Sequence, residues 1–317
     1  MNTITVRPGD LDDAAAVADM RNSAWQAQVN HPVLDADQIV LDWQTGDFDV
    51  ARRVGMAVDS SGTSIGFVWL TSRGPSGVRL ILGARGGTEG RAVRAALLDW
   101  AEMRGREVAA CDAATAQLTV YVSLAPDDNE TAAALESRGY TLFRVTLEMR
   151  VSLDSPLASP NWPPGVTLRP LLPDRNEEAV HAALSEAFET NWEGDRVPPF
   201  ERWRYETLAD VGYDPALWVV AVDEAGEVAG AIGGTRYWRG QSGVGGLFDF
   251  GVRPAWRRRG LGRAILLQSL RQFYARGYRT VALRVDAHNT PAVHLYEGIG
   301  MRTVWRLDTY ARQLPFP

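Results

Sequence analysis

Apolar positions along the chain change period repeatedly, and each change marks an element. Ile4-Thr-Val-Arg-Pro8 alternates like a strand and ends at Pro8-Gly9. Asp10 then caps a helix whose apolar positions are Leu11, Ala15, Val17, Ala18 and Trp25, and a second helical patch runs from Ile39 to Trp43. Val54 to Val58, the turn Asp59-Ser-Ser-Gly62 and residues 64–71 form a hairpin. Residues 78–82 read as a strand, and 92–103 as a helix closed by Gly105. A strand at 118–122, a helix at 129–138 and a strand at 141–151 complete this half.

Residues 153–165 hold Pro156, Pro160, Pro163 and Pro164 among small polar residues, the composition of a semi-rigid linker. Beyond it the pattern starts again. Val166-Thr-Leu-Arg-Pro170 echoes the first strand, and residues 217–222 with 228–238 form the matching hairpin around Asp223-Glu-Ala-Gly226. Leu261-Gly-Arg-Ala264 echoes Glu89-Gly-Arg-Ala92, and Gly300-Met301 echoes Gly139-Tyr140. A repeat this long means two copies of one domain, since solenoid periods are about 20–50 residues. The expected division is 1–152, a linker at 153–165 and 166–317. Helices between mostly hairpin-linked strands predict an α/β fold, a mixed sheet flanked by helices, in each copy.

Phe248 to Gly262 reads as a short apolar strand, a basic turn and a helix start. The helix puts Leu266, Leu267, Leu270, Phe273 and Tyr274 on one face, with Gln268, Gln272 and Arg276 opposite, and Gly277 stops it. A glycine turn before a helix aims unpaired N–H groups and the positive end of the helix dipole at one spot, which suits phosphate. Gly260 and Gly262 let the backbone close on an anion without a Cβ in the way. A dinucleotide fingerprint would need a third glycine near Ile265, and no Gly-Lys-Ser/Thr of a P-loop is present. On charge patterning alone, the arginine run reads equally as a solvated face.

Spacing adds more. Arg257-x-x-Gly260-x-Gly262, after a strand ending Val252-x-Pro254, resembles motif A of the GNAT superfamily of N-acetyltransferases. Asn289-x-x-Ala292-x-x-Leu295-Tyr296-x-x-x-Gly300-Met301 resembles the signature that follows it there, after an apolar strand from Val281 to Val285. The resemblance covers residues 166–312 directly and implies two tandem GNAT-like domains, the second catalytic. It implies an N-acetyltransferase that uses acetyl-CoA as cosubstrate and a primary amine of a small molecule as acceptor. The amine would attack the thioester directly. The rival reading is a non-catalytic acyl-CoA-binding or regulatory protein.

The same resemblance implies that the pyrophosphate lies on the N–H groups from Arg258 to Arg263, with the pantetheine beside Val252. Phe250, Val252, Arg257, Arg258, Arg259, Gly260, Leu261, Gly262, Arg263 and Asn289 are the expected cofactor-binding residues. Gly251 marks where the strand is expected to bulge and splay from its neighbour. Tyr296 stands where the family protonates the leaving thiolate, and a phenol of pKa about 10 suits that task. Read from the residues alone, Tyr296 is also a core position on an amphipathic helix, and Asn289 before Thr290-Pro291 is also a helix N-cap.

The base is less determined. The tandem architecture resembles mycothiol synthase, whose motif A strand also reads Gly-Val-x-Pro-Ala. A glutamate precedes the valine by six residues there; Gly246 occupies that place here, so neither that base nor a mycothiol precursor carries over. Asp249 is the nearest carboxylate and the catalytic candidate, on the opposite face by parity unless a bulge rotates it. A water-relayed base, Glu189, Glu193 and Asp195 stay open, and Trp192, Trp203, Tyr213 and Trp238 are candidates to line an acceptor pocket. The first copy departs from the motif, with Thr88 and Glu89 in place of Gly260 and Leu261, and Glu136 assigned to the place of Tyr296. It is expected to keep the fold without the activity.

Composition narrows the classes. A net charge of −6 argues against general nucleic-acid binding, so a local basic patch fits a small anionic ligand better. All 33 basic residues are arginine, a bias attributed to a GC-rich genome. Arg7, Asp10, Asp12 and Asp13 break any early apolar run, so neither signal peptide nor membrane span is expected. The single Cys111 excludes an internal disulfide and suits the cytoplasm. His31, His181, His288 and His294 make no metal-ligand spacing with Cys111, and no Gly-x-Ser-x-Gly elbow is present. A homo-oligomer stays open.

Overall fold

The computed structural model describes residues 4–25, 35–44, 48–72, 77–84, 88–110, 117–155, 157–189, 196–238 and 241–315. The first half carries β1 (Thr5–Pro8), α1 (Ala14–Trp25), α2 (Ala36–Gln44), α3 (Val50–Arg53), β2 (Val54–Val58) and β3 (Ser64–Ser72). It continues with β4 (Gly77–Ala84), α4 (Thr88–Ala110), β5 (Gln117–Leu124), α5 (Asn129–Glu136) and β6 (Thr141–Ser152). The second half carries β7 (Thr167–Arg169), α6 (Glu177–Phe188), α7 (Phe200–Leu208), β8 (Val219–Val222), β9 (Val228–Thr235) and β10 (Val244–Val252). It ends with α8 (Leu261–Ala275), β11 (Thr280–Asp286), α9 (Thr290–Glu297) and β12 (Arg302–Pro315).

These elements form two compact units, but the cuts do not fall at the proline-rich segment. One unit is Met1–Thr146 with Arg306–Pro317, and the other is Leu147–Trp305. Two long strands cause the difference: β6 and β12 each begin in one unit and end in the other. The expected boundaries at 152 and 166 therefore give way to 146/147 and 305/306.

In the first unit the strand order is β1-β2-β3-β4-β5-β12. Its pairs are antiparallel except β4 with β5. Leu97 and Leu98 of α4 pack on Leu80, Val120 and Val122, while Trp43, Met56, Phe67 and Trp69 make a second cluster. The predicted stop at Gly105 is wrong, for α4 runs through it to Ala110. One interior glycine costs about 1 kcal/mol, and the apolar face of the helix outweighs that.

The second unit has the order β6-β11-β10-β9-β8-β7. Its helices divide between the two sheet faces. Leu261, Ile265, Leu266, Leu270 and Phe273 of α8 pack with Tyr296 of α9 on Leu247, Leu283 and Val285. Val180, Ala183 and Leu184 of α6 pack with Trp203 of α7, Trp218, Val220 and Ala231, with Phe248 alongside. Gly277 closes α8 as expected, at φ 88°, with the Tyr278 N–H donating to the Phe273 carbonyl at 3.1 Å.

The helix caps correct one sequence assignment. Gly300 N–H donates to Glu297 O and Met301 N–H to Tyr296 O; in the first unit Gly139 N–H donates to Glu136 O and Tyr140 N–H to Leu135 O. Tyr296 therefore corresponds to Leu135, and Glu136 to Glu297.

Candidate active site

The site begins with two strands that part. β10 and β11 pair in parallel from Val244↔Thr280 to Leu247↔Leu283, yet β10 continues to Val252 and β11 to Asp286. On its other edge β10 shifts register against β9 between Phe248 and Gly251, and Asp249 takes a positive φ of 45°. One extra residue in one strand is a bulge, and it bends the strand that carries it. Leu247, Phe250 and Val252 lie in the α8–α9 core, whereas Phe248 belongs to the α6–α7 core and Asp249 bonds to Trp203 there. The bulge thus places two consecutive residues, Phe248 and Asp249, on one face. Arg253 N–H donates to Ala229 O of β9 at 3.0 Å, so alternation turns the N–H and C=O of Val252 into the gap.

Beyond β10 the chain makes a short 3-10 turn at Pro254–Trp256 and enters α8 with Arg258 at φ 63° and Gly260 at φ 81°. The first backbone bond of α8 runs from Ala264 N–H to Gly260 O at 3.1 Å, so the N–H groups of Leu261, Gly262 and Arg263 have no intrahelical acceptor. Arg258, Arg259 and Arg263 are exposed around them, and the Arg259 guanidinium lies 5.1 Å over the Trp256 ring. Arg257 is committed elsewhere: its Nε donates to Val252 O at 3.1 Å and its Nη2 to Ala187 O at 2.9 Å. It ties α6 to the end of β10 and shapes the turn.

A Cβ on Gly260 would meet nothing within 4 Å, so the position needs glycine for its backbone angle rather than for room. This permits a clean comparison. Gly260→Asp and Gly260→Asn share shape and strain, and both residues tolerate left-handed backbone better than most. The Asp variant is expected to bind acetyl-CoA about five- to a thousandfold more weakly than the Asn variant, because a carboxylate some 4 Å from a phosphate costs on the order of 1–4 kcal/mol. Equal affinities by calorimetry would remove the anion from this turn.

Next to the helix start, three elements pack together. A Cβ on Gly262 would sit 3.6–3.7 Å from Leu295, Phe250 and Val252, so α8, β10 and α9 converge there. The Tyr296 ring is buried, 6.2 Å from the Phe250 ring. Burial pushes the Tyr296 phenol well above its ordinary range, which keeps it neutral. Asn289 is the N-cap of α9: its Oδ1 accepts from Ala292 N–H at 3.2 Å.

On the other face, Asp249 Oδ2 accepts from Trp203 Nε1 at 2.7 Å. Burial pushes the Asp249 carboxyl up; the Trp203 bond opposes this, the Glu206 charge adds to it, and His181 opposes it. Trp203 is itself held, stacked on Phe200, tilted against His181 and edge-on to Trp218. With α3 and β12, helix α7 is one of the elements the sequence reading missed. Pro198-Pro199 before Phe200 and the Arg202–Glu206 pair, four residues apart at 2.7 Å, were its signals.

The other candidates divide. Glu189 is exposed at the end of α6, while Trp192, Glu193, Asp195, His31, Cys111 and the Glu89 side chain lie outside the described residues. Tyr213 packs beside the α6–α7 core and Trp238 is buried. A Cβ on Gly246 would meet Trp238 and Thr235 at 2.8 Å, so the tryptophan occupies the space that a longer side chain at 246 would need. Among the described residues no cluster of three metal-ligating groups exists, and no helix is long and apolar enough to cross a membrane.

A parallel strand pair that parts at a bulge, followed by a glycine turn and a helix, defines an acetyltransferase fold, and comparison supports this directly. Residues 178–301, within the second unit, match the acetyltransferase (GNAT) family model. The chain as a whole has the tandem GNAT architecture. It superposes on a GCN5-related N-acetyltransferase from Sphaerobacter thermophilus with a TM-score of 0.82 and 27% identity, over 98% of this chain and 96% of that one. A tandem GNAT protein from the clavulanic acid biosynthesis pathway shares the fold, with a TM-score of 0.63 and 19% identity over 98% of each chain. Among curated relatives, the mycothiol acetyltransferase of Thermobispora bispora is 36% identical over 186 residues, 55% of this chain and 59% of that protein. The mycothiol acetyltransferase of Streptomyces avermitilis is 35% identical over 169 residues, 52% of each chain. The aligned part spans between half and three-fifths of these relatives.

Proposed function

We propose that the chain is an acetyl-CoA-dependent N-acetyltransferase that acetylates a primary amine of a small molecule by direct attack. The observation that carries this reading is the gap between β10 and β11, with Tyr296 on one face and Asp249 on the other. The pyrophosphate of the cosubstrate meets the free N–H groups at the start of α8, with Arg258, Arg259 and Arg263 around it. The pantetheine follows the open edge of β10 at Val252, near Asn289. The thioester then reaches the gap, and the neutral amine approaches from the α6–α7 face.

Attack forms a C–N bond and a tetrahedral oxyanion. Asp249 takes the proton that the amine nitrogen sheds, directly or through water. Collapse breaks the C–S bond, and the thiolate takes the Tyr296 proton. Burial keeps the phenol neutral and so holds the proton in place until the thiolate forms.

The test is release of CoA from acetyl-CoA with a panel of amines, joined to calorimetric counting of sites. One acetyl-CoA per chain is expected, held by the second unit. In the first unit Leu135, fully buried, replaces the tyrosine; β4 and β5 also part after Leu80↔Val122, but β4 pairs with β3 from Gly66↔Ala84 to Ser72↔Val78 with no register shift, so the bulge that sets Asp249 in the second unit has no counterpart. Cofactor binding without CoA release for any amine leaves only a binding protein. Two sites of comparable affinity sink the assignment of the first unit as inactive.

A further inference from the structure

One strand over from Asp249, a charged cluster sits on the same face and takes no part in the chemistry above. Val281, Leu283 and Val285 of β11 and Met149 and Val151 of β6 face the α8 core, so Arg284, Glu148 and Arg150 face the opposite way. Leu247 pairs with Leu283, which makes Phe248 and Arg284 the first residues past the point where the strands part. Arg284 therefore borders the gap on the face where the amine is proposed to enter.

Charges in this cluster do not balance. Glu148 is buried, and Arg150 holds its Oε1 through Nε at 3.0 Å and Nη2 at 2.7 Å. Arg284 reaches the same carboxylate only through Nε at 3.7 Å, beyond hydrogen-bond length. Nε and Nη2 of Arg284 are shielded from solvent and donate no hydrogen bond. Its guanidinium lies 4.4 Å over the Trp305 ring, a contact that orients the cation without accepting an N–H, while the side chain remains 30% exposed. Two cations share one carboxylate, and one of them is left with unmade bonds. The second cation is left short of countercharge, and an anion meeting the exposed part of its side chain from outside would relieve this. The planar fork of guanidinium matches a carboxylate in geometry.

We propose that Arg284 receives a carboxylate of the acceptor, so that the acceptor class is a small amino acid or peptide presenting an amine and a carboxylate together. This rests on the acetyl-transfer reading of the same site and narrows it. The amine enters the gap beside Asp249, and the carboxylate docks on the neighbouring strand.

The test uses the full chain, with free α-amino acids, β-alanine and dipeptides set against their matching carboxamides. Two readouts are taken: CoA release from acetyl-CoA, and calorimetric binding in the presence of CoA. Free carboxylates are expected to exceed their amides by about 10–100-fold in kcat/KM or affinity, the range of a hydrogen bond to a charged group. Arg284→Gln should collapse that ratio towards one through KM, and Arg284→Lys, which keeps the charge and loses the fork, should restore part of it. Acetyl-CoA titration of each variant confirms that the site is folded. Amides that equal the acids, no carboxylate bound at all, or a ratio unchanged in Arg284→Gln would each overturn the proposal. Failure of acetyl-CoA itself to bind would instead strike the acetyl-transfer reading.

Discussion

Tyr296→Phe is expected to lower kcat by about 10²–10⁴-fold, the usual contribution of a positioned proton donor. Acetyl-CoA affinity should hardly move, because the hydroxyl serves the departing thiolate rather than the bound ground state. The substitution is also structurally mild. Phenylalanine keeps the same ring packing against Phe250, and among the described residues no group is bonded to the Tyr296 hydroxyl. A loss of turnover at constant melting temperature and constant dissociation constant would therefore be chemical in origin. An unchanged kcat with a good acceptor would return Tyr296 to the packing role that its helical position also allows. Since burial raises this phenol, no basic limb from it is expected in the pH profile of the free enzyme.

Local features of the site were legible in the chain, and those that depend on pairing were not. The Arg257-x-x-Gly260-x-Gly262 turn, the start of α8 and its stop at Gly277 are each fixed by neighbours within a few residues. The side on which Asp249 emerges depends on where β10 slips against β9, and no stretch of β10 states the position of that slip. Helix α7 escaped because its sequence is mostly polar and buries only Trp203 and Thr207, so its periodicity is faint. The unit boundaries escaped for a related reason. The proline-rich segment looks like a border, but β6 and β12 are long enough to serve both units. The error over Glu136 was one of frame, since a single-residue offset changes a carboxylate into Leu135 and strengthens the case against a second active site.

Asp249→Asn is expected to reduce kcat/KM by about 10²–10⁴-fold while leaving the fold intact, and its pH behaviour separates a base from a mere polar contact. The amide oxygen of Asn can still accept the Trp203 N–H, so the orientation of the side chain survives while its basicity is lost. Burial raises the Asp249 carboxyl above the ordinary aspartate value, so the folded protein binds a proton there more readily than the unfolded chain does. Two consequences follow. Wild-type kcat/KM should fall as pH drops through that raised value, and the variant should lack this acidic limb. Stability should behave in the opposite sense. Between the unfolded and folded pKa values the native state holds more protons, so wild-type stability decreases as pH rises through this window. The variant carries no such ionisation and should be at least as stable as wild type above the folded pKa, with the advantage vanishing below the unfolded one. Paired melting curves and rate profiles across the acid range measure both. A variant that is less stable at neutral pH, or that retains the acidic limb, would show that Asp249 is an ion-pair partner and that the base lies elsewhere.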